Sequence, residues 1–366
     1  MSRTTDGADD RGREGLSLVD CDVHSQILGD VRIADYLPDH YREQRGVSTP
    51  GSPWSNPHGV ARRDVGPAED QTAYEALCEQ HFDAFDLDYG VLNRGPLALG
   101  VAPDADYAAA IARAHNEELI DRWLDRDDRF LGSAIVAPQA PEKAAAEIRR
   151  VGDHPRIVQV LMSSASGLGL PYGRKQFWPI YEAAAEMDLP VAVHPGTEGR
   201  GTAHPPTGAG YPSRYLEWHT VLPANYIGHL TSLLTEGVFV EYPDLTFVCV
   251  EGGLAWVPHL TWRLDKNWKA LRVQTPWLEK PPSEYLREQV RFTTQPIEEP
   301  DDPRHLRQIL DMVHAEETVM FSSDFPHWDN DSPEHGIPPL SEDLRRAIMY
   351  ENAQELYGLP DDPSRL

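Results

Sequence analysis

Three short apolar runs in this chain end in side chains that can ligate a metal or move a proton. Residues 18–24 read Leu-Val-Asp-Cys-Asp-Val-His, residues 190–196 Pro-Val-Ala-Val-His-Pro-Gly, and residues 318–330 Thr-Val-Met-Phe-Ser-Ser-Asp-Phe-Pro-His-Trp-Asp-Asn. Alternate side chains of an extended strand share a face, so Asp20, Asp22 and His24 point one way. A charge at the end of a buried strand is costly unless a cation or proton meets it, so Asp324 requires a partner. A fourth run, 245–251, ends in Glu251 before Gly252 and Gly253, which allow a ligand close to the backbone. Imidazoles and carboxylates together suit a divalent ion, Zn²⁺ or Mn²⁺, that keeps a position open for water or substrate. Such an ion brings bound water towards neutrality in pKa or polarises a bound carboxylate or carbonyl.

Residues so distant in sequence can meet only if the fold gathers strand ends on one face. Strand-like runs start at Leu18, Tyr89, Phe130, Ile157, Leu189, Leu245, Gln289 and Val319. Between them helical patterns cover 71–85, 107–124, 141–151, 176–187, 223–236, 254–271 and 303–314, and a last one closes the chain at 341–357. This alternation predicts a parallel sheet of about eight βα units, the number of a closed (β/α)8 barrel, whose strand C-termini all open on one face. Asp22, His24, His194, Glu251 and Asp324 would converge there. No Gly-rich phosphate fingerprint follows the first strand, which argues against a doubly wound dinucleotide fold.

The length of 366 residues suits one barrel with insertions, so residues 16–366 are expected to form a single domain after a mobile polar tail at 1–15. Two Gly/Pro-rich excursions, 46–66 and 196–213, read as active-site cover rather than linker. With 33 basic and 59 acidic residues the formal charge is −26, which opposes nucleic acid and anionic membrane as partners. Three cysteines without a CxxC pair, and no apolar stretch of membrane-spanning length, point to a cytoplasmic protein with buried thiols.

Asp22-Val23-His24, His194-Pro195-Gly196, the run Gly237 to Leu245, Glu251-Gly252-Gly253, Ser323-Asp324-Phe325-Pro326-His327 and Asn352 to Gly358 appear in that order across the chain. Together they resemble the amidohydrolase-2 branch of the amidohydrolase superfamily, which includes the aminocarboxymuconate semialdehyde and resorcylate decarboxylase types. The resemblance implies a distorted (β/α)8 TIM barrel with long βα-loop insertions and one divalent metal, Zn²⁺ before Mn²⁺, held by Asp22, His24, His194 and Asp324. Binuclear members carry a bridging Lys on the fourth strand; residues 157–162 hold none, so a single metal is expected. Two departures stand out: the first-strand motif commonly has His or Glu where Asp22 stands, and the sixth-strand catalytic His of the decarboxylases is Glu251 here.

These residues predict a metal-dependent enzyme acting on a small molecule, with Asp324 handling the proton of a metal-bound water and Glu251 or His327 assisting. The Glu251 departure favours hydrolysis of an amide, ester or lactone carbonyl through a metal-activated water. Non-oxidative decarboxylation of a small aromatic or unsaturated carboxylic acid is the alternative, and a non-catalytic metal- or ligand-binding barrel is the third reading. His219 is the best substrate-facing histidine of its segment, ahead of His204 and His229. Arg94 could pair with a substrate carboxylate or equally form a salt bridge. Trp54 and Trp328, with Trp218 and Trp256, are candidates for an apolar pocket wall. Asp20 is expected to orient a ligand or loop. The family habit and the two excursions imply a homodimer.

Overall fold

The eight apolar runs form eight parallel strands, seen in a computed structural model that describes residues 17–29, 32–42 and 56–366. They are β1 (Val19–Val23), β2 (Tyr89–Leu92), β3 (Phe130–Ile135), β4 (Ile157–Ser163), β5 (Val191–His194), β6 (Phe247–Cys249), β7 (Val290–Thr293) and β8 (Val319–Met320). Each pairs with the next in sequence order. Closure comes from β1 against the segment after β8. Cys21 N donates to the Phe321 carbonyl at 3.0 Å, Asp324 N to the Asp22 carbonyl at 3.1 Å and His24 N to the Phe325 carbonyl at 2.8 Å. Helices cover such a barrel on its outside, so its strands are buried on both faces and read as continuous apolar runs. The result is the distorted (β/α)8 barrel that the sequence predicts.

Alternation along the strands divides the core in two. Val91, Leu131, Leu161, Ala192, Val248 and Met320 belong to one apolar cluster. Their neighbours Leu92, Phe130, Val160, Val193, Phe247 and Val319 join helix residues such as Leu119, Ile148, Ile180 and Leu230 in a larger one. The helices are set by local chemistry. Thr72 and Glu75 form a reciprocal capping box at Ala73–Leu77, Asp104 caps Ala105–Leu119, and Gly237, at φ 86°, ends Pro223–Glu236.

Among the helices that go beyond the sequence expectation are Tyr215–Thr220, Val238–Glu241, Pro282–Gln289 and Ala315–Thr318. The first, second and fourth are too short to show a 3.6-residue period. Pro282–Gln289 buries Pro282, Tyr285, Leu286 and Gln289 in a mostly polar octet, which leaves no clear stripe to read. The closing helix is broken into Glu342–Arg346, a wider turn at Ala347–Glu351, and Asn352–Tyr357. Among the described residues no helix is long and apolar enough to cross a membrane. Cys21, Cys78 and Cys249 are free and buried. The expected tail at 1–15 and the candidate Trp54 lie outside the described residues.

Candidate functional site

The barrel brings four of the sequence-predicted residues to one point. Asp22 lies in β1 and His24 just beyond it, His194 ends β5, and Asp324 follows β8. Each offers one ligand atom, all four atoms lie within 4.8 Å of one another, and all four residues are buried. His24 Nε2 is 3.1 Å from Asp22 Oδ1, 3.0 Å from Asp324 Oδ1 and 3.2 Å from His194 Nε2. Asp324 and Glu251 sit at φ 60° and 57°, a region that residues other than glycine rarely adopt. Backbone strain of this kind gathers at functional sites, and here it falls on the residues that end or follow strands β6 and β8.

The donor set fits a cation. His194 Nδ1 donates to the Pro195 carbonyl at 2.8 Å, which leaves the Nε2 lone pair facing the centre. The Gln26 amide nitrogen sits 3.2 Å from His24 Nδ1 and donates to it, so the neutral His24 ring carries its proton on Nε2, towards the centre. Two imidazole nitrogens 3.2 Å apart beside two buried carboxylates leave a negative charge that a proton or a metal ion must offset. Asp22 Oδ2 is buried without a hydrogen-bond partner, as an atom reserved for a metal would be. Protonation answers the same electrostatic demand. Burial lowers the His194 imidazole, but Asp22 and then Glu251 outweigh it and lift it to about 9. Burial raises Asp22, yet the His24 and His194 charges hold it well below the usual carboxylate range.

Buried polar side chains fix this geometry. Asp20 takes the orienting role expected of it. Its Oδ1 accepts from Asp22 N at 3.1 Å and Ser323 N at 3.0 Å, and its Oδ2 meets His81 Nε2 at 2.7 Å and the Ser323 hydroxyl at 2.5 Å. One carboxylate thus ties β1 to the turn that carries Asp324. Asn93 donates to Asp22 Oδ1 at 2.7 Å and accepts from the Ser133 hydroxyl at 2.5 Å and Gln159 Nε2 at 3.2 Å. The Tyr357 hydroxyl closes the chain on Gln159 Oε1 at 2.9 Å.

Above the cluster opens a cavity of about 670 Å³ whose wall includes His24, His194, Asp324, Glu251, His219, His327 and Trp328. His327 Nδ1 is 2.5 Å from Asp324 Oδ1. Glu251 spans two histidines, with Oε2 at 3.3 Å from His194 Nε2 and Oε1 at 3.7 Å from His219 Nε2. His219 Nε2 also lies 3.4 Å from Asp329 Oδ2. Burial, then the charges of Asp324 and Glu251, push the Asp329 carboxyl up to about 6. Tyr215 stacks on His219, and Trp328 on His58. The described part of the first excursion covers the cavity through Asn56, Gly59 and Val60, and Trp328 N donates to the Val60 carbonyl at 3.1 Å.

Two candidates fall elsewhere. Arg94 is fully buried away from the cavity wall, its Nε and one terminal nitrogen 3.0 and 2.9 Å from the two Glu118 oxygens, with Trp123 under the guanidinium. Of its two readings the salt bridge holds, in the core rather than on the surface. Trp256 likewise belongs to the core, where Nε1 donates to the Gly252 carbonyl at 2.7 Å, whereas Trp218 lines the cavity. Sequence reasoning passed over Asn93, His115, Arg200, Tyr215 and Asp329. His115 is in the cavity wall, with burial and then the Arg94 charge lowering it to about 3, so its ring is neutral.

Comparison with known proteins agrees with this geometry. The amidohydrolase family model Amidohydro_2 matches residues 19–359. A gamma-resorcylate decarboxylase from a Rhizobium species is 24% identical over 301 residues, covering 76% of this chain and 85% of the relative. A 2-keto-4-carboxy-3-hexenedioate hydratase from a Sphingobium species is 25% identical over 255 residues, 67% of each chain. Among solved structures, a dihydroxybenzoic acid decarboxylase from a Polaromonas species, with bound manganese and the inhibitor 2-nitroresorcinol, superposes with a TM-score of 0.66 at 20% identity, covering 94% of this chain and 97% of that one.

Proposed function

Because the chain belongs to this amidohydrolase family, we propose that it removes carbon dioxide without oxidation from a small aromatic or unsaturated carboxylic acid. The observation that carries this reading is the Asp324–His327 pair, a proton-transfer couple set beside four buried ligand side chains at the base of a cavity with aromatic walls. Hydrolysis, favoured from Glu251 in the sequence, has weaker support, since the resorcylate decarboxylase similarity spans 76% of the chain.

Asp22, His24, His194 and Asp324 would hold the metal. A divalent cation there supplies positive charge that draws a substrate carboxylate or hydroxyl and stabilises negative charge developing beside it. Tyr215, Trp218 and Trp328 exclude water and face the substrate's unsaturated plane. As the bond to the carboxylate breaks, its electron pair stays on the carbon, which takes one proton. Burial raises the Asp324 carboxyl, but His327 and His24 hold it below the usual range, and a proton is shared between its Oδ1 and His327 Nδ1, 2.5 Å apart. It reaches the carbon through Asp324 Oδ1, and the balance is acid anion plus proton to product plus carbon dioxide. Two imidazoles and two carboxylates accept Zn²⁺, the sequence expectation, and Mn²⁺, the ion in the Polaromonas relative.

The test is incubation of protein reconstituted separately with each ion, in deuterium oxide, with a panel of hydroxybenzoates and unsaturated acids. Carbon dioxide release with one deuteron at the vacated carbon is expected, and Asp324→Asn should abolish it. Consumption of a lactone, amide or alkene by water, with no carbon dioxide from any acid, would overturn the reading.

A further inference from the structure

Among the described residues of the cavity wall, Arg200 is the sole lysine or arginine, while Glu251, Asp324 and Asp329 are acidic. Among the described residues its Nε is buried without a hydrogen-bond partner, and no ion pair engages its guanidinium. Burial lowers its pKa, with Glu198 the charge that most opposes the shift. An arginine nevertheless stays protonated, so the wall holds a cation with no carboxylate in contact with it. Glu198 is not available to neutralise it by contact: one oxygen accepts from Gly196 N at 2.9 Å and the other meets the Ser164 hydroxyl.

The backbone holds Arg200 in place. Its N donates to the Thr197 carbonyl at 3.0 Å and its carbonyl accepts from Ala203 N at 2.8 Å. Gly199 and Gly201 flank it at φ 70° and 53°, so a tight turn that glycine adopts readily presents this side chain. A guanidinium held in a partly dry wall is a strong site for a carboxylate, which it meets through paired hydrogen bonds. The four-residue cluster, with a cation bound, would serve one anionic group of a ligand. Arg200 is a second, separate positive point on the same cavity.

We propose that Arg200 binds a second carboxylate, remote from the reacting one, so that the preferred substrate is a dicarboxylic acid. This rests on the decarboxylase reading for the reaction but not for the binding. Leu97, Pro195 and Trp218 in the same wall suit the unsaturated body of such a compound.

The test is calorimetric titration of the metal-loaded protein with isophthalate and with benzoate, in wild type, Arg200→Met and Arg200→Lys, each checked for an unchanged melting profile. Isophthalate should bind the wild type more tightly than benzoate. Arg200→Met should weaken isophthalate about 10- to 100-fold, the worth of hydrogen bonds to a charged group, and leave benzoate unchanged. Arg200→Lys should recover part of the loss. Equal weakening of both acids, or of neither, would overturn the proposal. Carbon dioxide release from hydroxylated isophthalates and hydroxybenzoates separates the two claims. Decarboxylation without Arg200-dependent discrimination sinks this proposal alone; Arg200-dependent binding without decarboxylation sinks the reaction alone.

Discussion

Replacing Asn93 with leucine should weaken metal binding by way of a side chain that is not itself a ligand. The amide donates to Asp22 Oδ1 at 2.7 Å, and its oxygen takes the Ser133 hydroxyl at 2.5 Å. Leucine keeps roughly the volume and removes these bonds together with the one from Gln159 Nε2. A hydrogen bond to a charged group contributes about 1.5–3 kcal/mol, and a buried donor left unmade costs about 1–3 kcal/mol. Gln159 Nε2 still reaches the Ser133 hydroxyl oxygen at 2.9 Å, so the orphaned donors are the Ser133 proton and the Gln159 N–H that met Asn93 at 3.2 Å. The metal-free protein should therefore lose about 2–4 kcal/mol. Releasing Asp22 from its orienting partner should cost about 10- to 100-fold in metal affinity, which shrinks metal-linked stabilisation by about 1.4–2.7 kcal/mol. Urea unfolding with and without metal, combined with chelator competition, separates the two losses. Ser133→Ala is the control: it cuts the same chain one step from Asp22, so stability should fall with affinity unchanged. If Asn93→Leu destabilises the metal-free protein but binds metal within about twofold of wild type, β1 alone positions Asp22 and the argument fails.

His229 gives a pH prediction. Nε2 donates to the Ser164 carbonyl at 2.6 Å and Nδ1 accepts from Tyr172 N at 3.1 Å, so the neutral ring is saturated, and burial lowers it to about 4. Between an unfolded value near 6.5 and about 4 the unfolded chain binds the extra proton, so stability rises with pH there. Above about 6.5 the contribution is complete, on the order of 3 kcal/mol. His229→Gln should flatten the fall in urea midpoint between pH 7 and pH 4.5; an unaltered slope would exclude His229 as its source. At Gly173 an added Cβ would stand 2.2 Å from the backbone carbonyl of Ser232, so Gly173→Ala should destabilise by about 1–3 kcal/mol. An unchanged melting temperature would show that the two segments move apart freely.

The metal cluster was legible because its residues obey a simple physical rule. A strand buried on both faces is apolar to its end, so a polar residue at that end marks the open face of the barrel. Asp22, His24, His194, Glu251 and Asp324 all stand at such ends and all line or meet the centre. Arg200 obeys no such rule. It lies in the long segment between β5 and Tyr215–Thr220, where no period links position to direction. Its one local sign is the pair of glycines at 199 and 201, and flanking glycines alone do not name the residue between them as a ligand.

The misplacement of Arg94 beside the omission of Asn93 was avoidable from strand parity. Side chains alternate, so residues two apart share a face. Val91 belongs to one apolar cluster and Leu92 to the cluster shared with the helices. Continuing that alternation puts Asn93 with Val91 and Arg94 with Leu92. The structure follows it: Asn93 holds Asp22, while Arg94 meets Glu118 on the helix Ala105–Leu119. Charge drew attention to the wrong member of the pair, since an arginine beside a strand end suggests an anion while an asparagine suggests little. Burial reverses that weighting. A guanidinium facing a helix can be neutralised by a carboxylate on that helix, whereas an amide facing the barrel centre has both a donor and an acceptor to satisfy and so fixes the side chains around it. At strand ends in this fold, parity outranks charge as a guide to which residue reaches the site.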